Sequence, residues 1–252
     1  MPQWQKSRLS YMANPYLLLW LEAPMQSWGA DSKFGRRDTQ IFPTKSGIMG
    51  LLCSALGAGG QQFELLAEFA TLNQTAISFV RTNLKAGLRI KQDREPLLRD
   101  FHMVGSGYND QDPWAKLLIP KTSEGKAAVG GGSKMTYRYY LQDAAFAVAL
   151  EVPVARAQTI VEALQNPTWD IFLGRKNCVP TDFIYRGIFD IEFAALEQAN
   201  LIALEKNRVE DFRVINGLLA DGSGEVFTLN DVPIQFGENK RYRDRQVSLI
   251  NA

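Results

Sequence analysis

The chain has 252 residues, with 28 Lys+Arg against 27 Asp+Glu and a formal net charge of +1. Its 46% hydrophobic and 22% charged content excludes a disordered, collagen-like or disulfide-dense chain. The length suits one or two domains, and near-neutrality argues against a uniformly basic nucleic-acid binder while leaving room for a local basic track.

Residues 1–15 read as an N-terminal tail. Met1 to Asn14 is polar and lacks the apolar stretch of a signal peptide, so none is expected. Tyr16-Leu-Leu-Leu-Trp-Leu21 is a continuous apolar run, too short to span a bilayer, and predicts a strand buried on both faces. Met25 to Thr44 is polar and reads as a loop or strand edge. Ile48, Leu51, Leu52, Ala55 and Leu56 follow helical spacing, with Ser46 placed to cap the start and Gly57 the end.

A second short helix is predicted over Gln61 to Thr71, and strands over Ala76 to Thr82 and Leu97 to Val104. Gly105 to Met135 is polar and glycine-rich, a length that reads as an inserted functional segment. Tyr137 to Val152 predicts a long strand and Ala155 to Gln165 a helix ended by Asn166-Pro167. Beyond residue 180 come a strand over Phe183 to Phe193, a helix over Ala194 to Leu204 and a strand over Phe212 to Leu219. Asp221-Gly-Ser-Gly224 is expected to turn that strand into a hairpin with Val226-Phe-Thr228. The order predicts an α+β fold: a βαββαβ body, ferredoxin-like or RRM-like, with an inserted arm and a smaller β-rich C-terminal part over 181–252.

Two cysteines and one histidine, without Cys-x-x-Cys, fall short of the roughly four ligands of structural zinc. No metal and no cofactor is expected, and the sparse cysteines suit a reducing, cytoplasmic setting. Cys53, within Leu51-Leu-Cys53, reads as a small buried hydrophobe.

The candidate functional residues are mostly basic. Lys45-Ser46-Gly47 at a helix N-terminus reads either as an anion site or as an ordinary capped helix. Lys33, Arg36 and Arg37 cluster in the preceding loop. In Tyr137-Arg-Tyr-Tyr140, strand alternation puts Tyr137 and Tyr139 on one face and Arg138 and Tyr140 on the other; such a strand stacks bases or packs on a core. Gly174-Arg175-Lys176 suits a phosphate contact or a solvated turn. His102 reads as a hydrogen-bonded or surface residue, with general-base catalysis as the alternative.

Four segments in order carry a resemblance: Pro24-Met-Gln-Ser-Trp-Gly29 with Phe42-Pro-Thr-Lys-Ser-Gly47; Leu98-Arg-Asp-Phe-His102; Tyr137-Arg-Tyr-Tyr-Leu-Gln-Asp-Ala-Ala-Phe146; and Phe172-Leu-Gly-Arg-Lys-Asn-Cys-Val-Pro180. Together they resemble the CasD-type subunits of the type I-E CRISPR effector complex Cascade, in the RAMP superfamily, over about residues 16–180. The resemblance implies an RRM-like body, a thumb hairpin over about 105–135, and a non-catalytic subunit that holds the 5′ handle of the CRISPR RNA. It implies contacts with the backbone subunit and the large subunit, and through the latter an indirect part in DNA targeting. Residue by residue, it implies that Gln26, Ser27 and Trp28 line the handle groove. Lys45, Ser46, Arg36 and Arg37 would meet phosphate, and Arg138, Arg175 and Lys176 would continue the path, with His102 and Tyr137 also on it. A related type I-C branch cuts CRISPR RNA with tyrosine, lysine and histidine; Lys45, His102 and Tyr137 keep that metal-independent endoribonuclease as the alternative.

Overall fold

The computed structural model describes residues 13–29, 35–85, 88–105, 114–126, 128, 132–219 and 222–252. The apolar run opens β1 (Tyr16–Gln26), which lies inside the sheet and is buried on both sides. Leu17, Leu19 and Leu21 enter one core, while Leu18 and Trp20 enter the other. Successive strand side chains point to opposite faces, so a strand covered on both faces must be apolar at every position.

In chain order follow β2 (Arg36–Arg37), α1 (Lys45–Leu56), α2 (Phe63–Phe69), β3 (Gln74–Lys85), β4 (Leu88–Lys91), β5 (Leu98–Val104) and α3 (Ala115–Leu118). Then come β6 (Lys134–Glu151), α4 (Val154–Gln165), β7 (Tyr185–Phe189), α5 (Glu192–Glu205), β8 (Arg208–Asn216), β9 (Glu225–Gln235) and β10 (Arg241–Asn251). The main path of the sheet runs β7-β1-β6-β3-β8-β10-β9 and is antiparallel throughout. It is a mixed fold of helices on a large antiparallel sheet. β7 begins beyond residue 180, and the sheet continues unbroken from β3 into β8.

Helices α1, α2 and α4 cover one face, with Ile48, Met49, Leu52, Leu66, Ile160 and Leu164 against Leu19, Phe146 and Val148. Helix α5 covers the other. Its Ala195, Ala199 and Ala203 lie against Ala145, Ala147 and Ala149 of β6, and small side chains on both sides allow a close approach.

Two local expectations are corrected. Thr44, not Ser46, is the N-cap of α1: its Oγ1 accepts from the Gly47 N–H at 3.2 Å. Gly57 does close the helix, in the left-handed region at φ 66°. The hairpin expected across 221–224 does not form, because β10 lies between β8 and β9. β9 instead pairs with β10, and β8 pairs with the far end of β10, from Val247↔Asn216 to Asn251↔Phe212. Val247 and Leu249 are buried, and the central place in the three-strand group goes to the strand that carries them.

The inserted arm starts as a two-stranded ribbon, β5 against the first part of β6, from Leu98↔Tyr140 to Val104↔Lys134. Beyond the ribbon, residues 106–113, 127 and 129–131 lie outside the described residues. No helix among the described residues is long and apolar enough to cross a membrane.

Candidate nucleic-acid interface

The loop between β1 and α1 is tied down at both ends. Trp28 and Gln40 form an isolated bridge, and the Trp28 N–H donates to Thr39 Oγ1 at 2.8 Å. Beneath it, Gln26 and Trp28 are fully buried. Gln26 Nε2 donates to the carbonyls of Leu21 and Ala144, and its Oε1 accepts from Trp28 Nε1. Their polar atoms are satisfied inside, so neither side chain lines a groove. That expectation is corrected: Gln26, the last residue of β1, and Trp28 just beyond it form a buried, fully bonded pair.

Lys45 is corrected in the same way. It is 1% exposed, and its Nζ donates to the carbonyls of Leu72 at 2.6 Å and Ala70 at 3.3 Å. Burial is the main cause that lowers its pKa to about 8, helped by Arg245 and opposed by Asp231. The N-terminus of α1 already holds an anion from the protein. Asp231 of β9 accepts from the Lys45 N–H at 2.8 Å and is clamped by Arg245 at 2.7 and 2.9 Å. A carboxylate at this end of a helix dipole satisfies the anion preference from within.

The structure does bring other predicted residues together. Ser27, Arg37, Ser46, Arg175 and Lys176 line one groove of about 430 Å³ above the first turns of α1. Its floor is glycine. A Cβ on Gly47 would stand 2.8 Å from the Trp28 ring, and one on Gly174, at φ 102°, would stand 1.6 Å from the Ser27 carbonyl oxygen. Only glycine permits these approaches of backbone to backbone and ring. Arg175 holds the groove wall: it donates to the carbonyls of Tyr139 (3.0 Å), Arg37 (2.9 Å) and Asp38 (3.3 Å) and stacks over Tyr140 at 4.7 Å. Lys176 beside it is exposed.

The groove continues into a second hollow of about 600 Å³ that shares Gly29, Asp38, Ser46 and Tyr242 and adds Gln40, Asn230, Asp231 and Asp244. One end is therefore cationic and the other rich in carboxylates and amides. Phe172, Phe236 and Tyr242 supply ring surface, and Gly50 and Ser54 complete the helical side. These five are absent from the residues expected on sequence grounds. Tyr242 sits in the basic run Lys240 to Arg245, whose side chains divide: Arg245 turns inward to Asp231, while Tyr242 turns to the groove.

The remaining candidates stand on the β5–β6 ribbon or at its foot. Arg36 is exposed, pairs with Asp38 at 2.8 Å and lies over Tyr139 at 4.8 Å. Tyr137 is half-exposed and packs on Phe101, with Arg99 over its ring. His102 faces the other side of the ribbon, opposite Thr136, as does Arg138, whose Nε donates to Thr136 Oγ1 at 3.4 Å. The alternation of Tyr137 and Tyr139 against Arg138 and Tyr140 is as the pattern predicts: Tyr140 is buried and Tyr137 is not.

Lys45, His102 and Tyr137 do not converge: the first is inside the core, and the other two are on opposite faces of the ribbon. Among the described residues there is no group of three or more His, Cys, Asp or Glu side chains placed to hold a metal ion. Cys53 and Cys178 are buried free thiols, and burial pushes the Cys53 thiol up to about 11. A separate ionic cluster, Arg208 with Glu22 and Asp143, lies away from the groove and is internally paired.

Residues 16–247 match the family described as CRISPR-associated protein (Cas_Cas5). A relative described as CRISPR system Cascade subunit CasD, from Escherichia coli (strain K12), is 32% identical over 178 residues, covering 68% of this chain and 70% of the relative. A solved structure described as a CRISPR RNA-guided surveillance complex matches with a TM-score of 0.65 and 27% identity, over 94% of this chain and 90% of that one. Another, described as a Cas protein, has a TM-score of 0.51 at 24% identity, over 94% of each, and is similar in fold.

Proposed function

The chain belongs to the CRISPR-associated protein (Cas_Cas5) family, and on that footing we propose that it is a non-catalytic, cytoplasmic subunit of a Cascade surveillance complex that holds the 5′ handle of the CRISPR RNA. The observation that carries this reading is the glycine-floored groove with Arg37, Arg175 and Lys176 along one wall and rings at its side. Single-stranded RNA is bound by phosphate neutralisation together with stacking on aromatic planes, and its unstacked bases expose hydrogen-bonding edges. The cationic end suits phosphates. The end with Gln40, Asn230 and Asp244 suits base edges that carry amino groups.

In the same reading, the quartet β7-β1-β6-β3, with α1 and α4 in its two crossovers, is the RRM-like body. The β5–β6 ribbon is the base of the thumb that reaches the backbone subunit, and the large subunit lies beside the handle. The β-rich C-terminal part then begins after β7, with α5 and the strands β8, β10 and β9. Endoribonuclease chemistry is not favoured, since the three residues it would need stand apart.

The test is Arg37→Ala with Lys176→Ala in the assembled complex, with handle RNA affinity measured across salt concentrations. Each lost phosphate contact removes about 0.7 from the slope of log K against log salt for a single strand. A double variant that binds as tightly as the wild type at every salt concentration overturns the phosphate role. Ultraviolet crosslinking with peptide mapping then locates the RNA, with crosslinks expected at Phe172 and Tyr242.

A further inference from the structure

Helix α5 is apolar on both sides. Its inner face, Ala195, Ala199, Ile202 and Ala203, packs on the sheet. Its outer face carries Phe193, Leu201 and Leu204, which are 68%, 54% and 54% exposed. With Glu197 they form a single stripe at spacings of four, four and three residues, the geometry of one helix face. Ile191, immediately before the helix, extends the stripe and is also exposed. Large apolar side chains gathered on one exposed helix face mark an interaction site.

The charge around the stripe narrows the occupant. From Glu192 to Glu205 the helix has no Lys or Arg. Asp190 and Glu205 are exposed at its margins and Glu197 within the stripe, while Lys206 at the C-cap is paired with Glu22 at 3.0 Å and Asp182 at 2.7 Å. Nucleic acid and anionic lipid are repelled by such a rim, whereas a protein with an apolar centre and basic margins complements it. We infer that the outward face of α5 is a docking surface for a protein whose contact area is apolar and rimmed by Lys and Arg. The surface lies on the opposite side of the sheet from α1, so it is separate from the RNA-binding reading of the groove.

The experiment uses the chain purified at native level with whatever copurifies, and hydroxyl-radical footprinting of the intact assembly and of the isolated chain. Oxidation of Phe193 and Leu201 is expected to fall several-fold in the assembly and to stay low after ribonuclease treatment. Carbodiimide is expected to join Glu197 or Glu205 to lysines of one copurified protein. Leu201→Arg, a surface change that leaves the melting temperature in place, is expected to release that protein, and Leu201→Met to retain it. Equal oxidation in both samples overturns the inference, as does a chain that copurifies with no protein. Protection lost on ribonuclease treatment assigns the face to nucleic acid and overturns it too. Protection in an isolated chain that sediments as a dimer assigns the face to a second copy and overturns it equally.

Discussion

Asp231 Oδ2 accepts a hydrogen bond from the backbone N–H of Lys45 at 2.8 Å, across 186 positions of sequence. This bond joins β9 to the first turn of α1, and the same carboxylate is held by two guanidinium nitrogens of Arg245. The C-terminal strands thereby fix the helix whose N-terminal end floors the groove.

Asp231→Ala removes the carboxylate and leaves Arg245 facing a vacated, nearly buried site. Breaking a buried pair by deleting one partner is expected to cost about 3 kcal/mol here. At this chain length that lowers the melting temperature on the order of 10 °C, read by circular dichroism. A melting temperature within one or two degrees of wild type would show that α1 does not depend on this cap.

Lys45 makes stability depend on alkaline pH. Its pKa is about 8 in the folded chain against an ordinary 10.5. Between those values the unfolded chain binds more protons, so this residue's contribution to stability rises as pH rises from about 8 to 10.5. Cys53 acts with the opposite sign above its ordinary value of 9.0, because burial holds its proton up to about 11. Comparison with Lys45→Met isolates the lysine. The stability of the wild type relative to the variant is expected to increase by about 3 kcal/mol across that window. Urea denaturation at a series of pH values checks it, and a flat difference contradicts it.

Two glycines of the groove are expected to respond oppositely to alanine. Gly174 has φ 102° and faces the Ser27 carbonyl. Gly174→Ala combines backbone strain with a steric clash and is expected to destabilise by at least about 3 kcal/mol. Gly50 is helical, with open space where a Cβ would stand. Gly50→Ala is expected to stabilise by about 0.5–1 kcal/mol. It also places a methyl group in the groove, so weaker RNA binding with a higher melting temperature is the expected pairing.

Arg175 and Lys176 are adjacent cations with different duties. Arg175 bonds three carbonyls and stacks on Tyr140, so Arg175→Ala is expected to cost about 2–3 kcal/mol of stability. Lys176 is exposed, and Lys176→Ala is expected to stay within about 0.5 kcal/mol while lowering RNA affinity. Equal melting temperatures for the two variants would remove the structural role of Arg175.

Elements governed by local pattern are legible in the sequence. The β1 run, the spacing of α1 and its Gly57 terminus, and the alternation along β6 all follow from periodicity and conformational preference. The N-cap of α1 lies two residues before the expected one because Thr44 and Ser46 are both cap formers, and only the Thr44 side chain reaches Gly47. The hairpin expected at 221–224 is absent because a Gly-rich turn specifies a reversal of direction but not which strand becomes the neighbour. Gln26 and Trp28 carry no local mark of burial, and their partners are Leu21, Ala144 and each other.

By itself, the near balance of 28 basic against 27 acidic residues determined that any nucleic-acid site on this chain is local. The motifs determined the family resemblance and most of the elements. Only the tertiary structure decided which cations face the groove. Lys45 went to carbonyls inside the core, Arg245 to Asp231 and Arg175 to the groove wall, leaving Arg37 and Lys176 toward solvent. The reason is physical: in loops and at strand ends a side chain's direction follows from distant packing and from the need of each buried polar group for a partner. Charge can be counted along a sequence, but its direction is set by the fold.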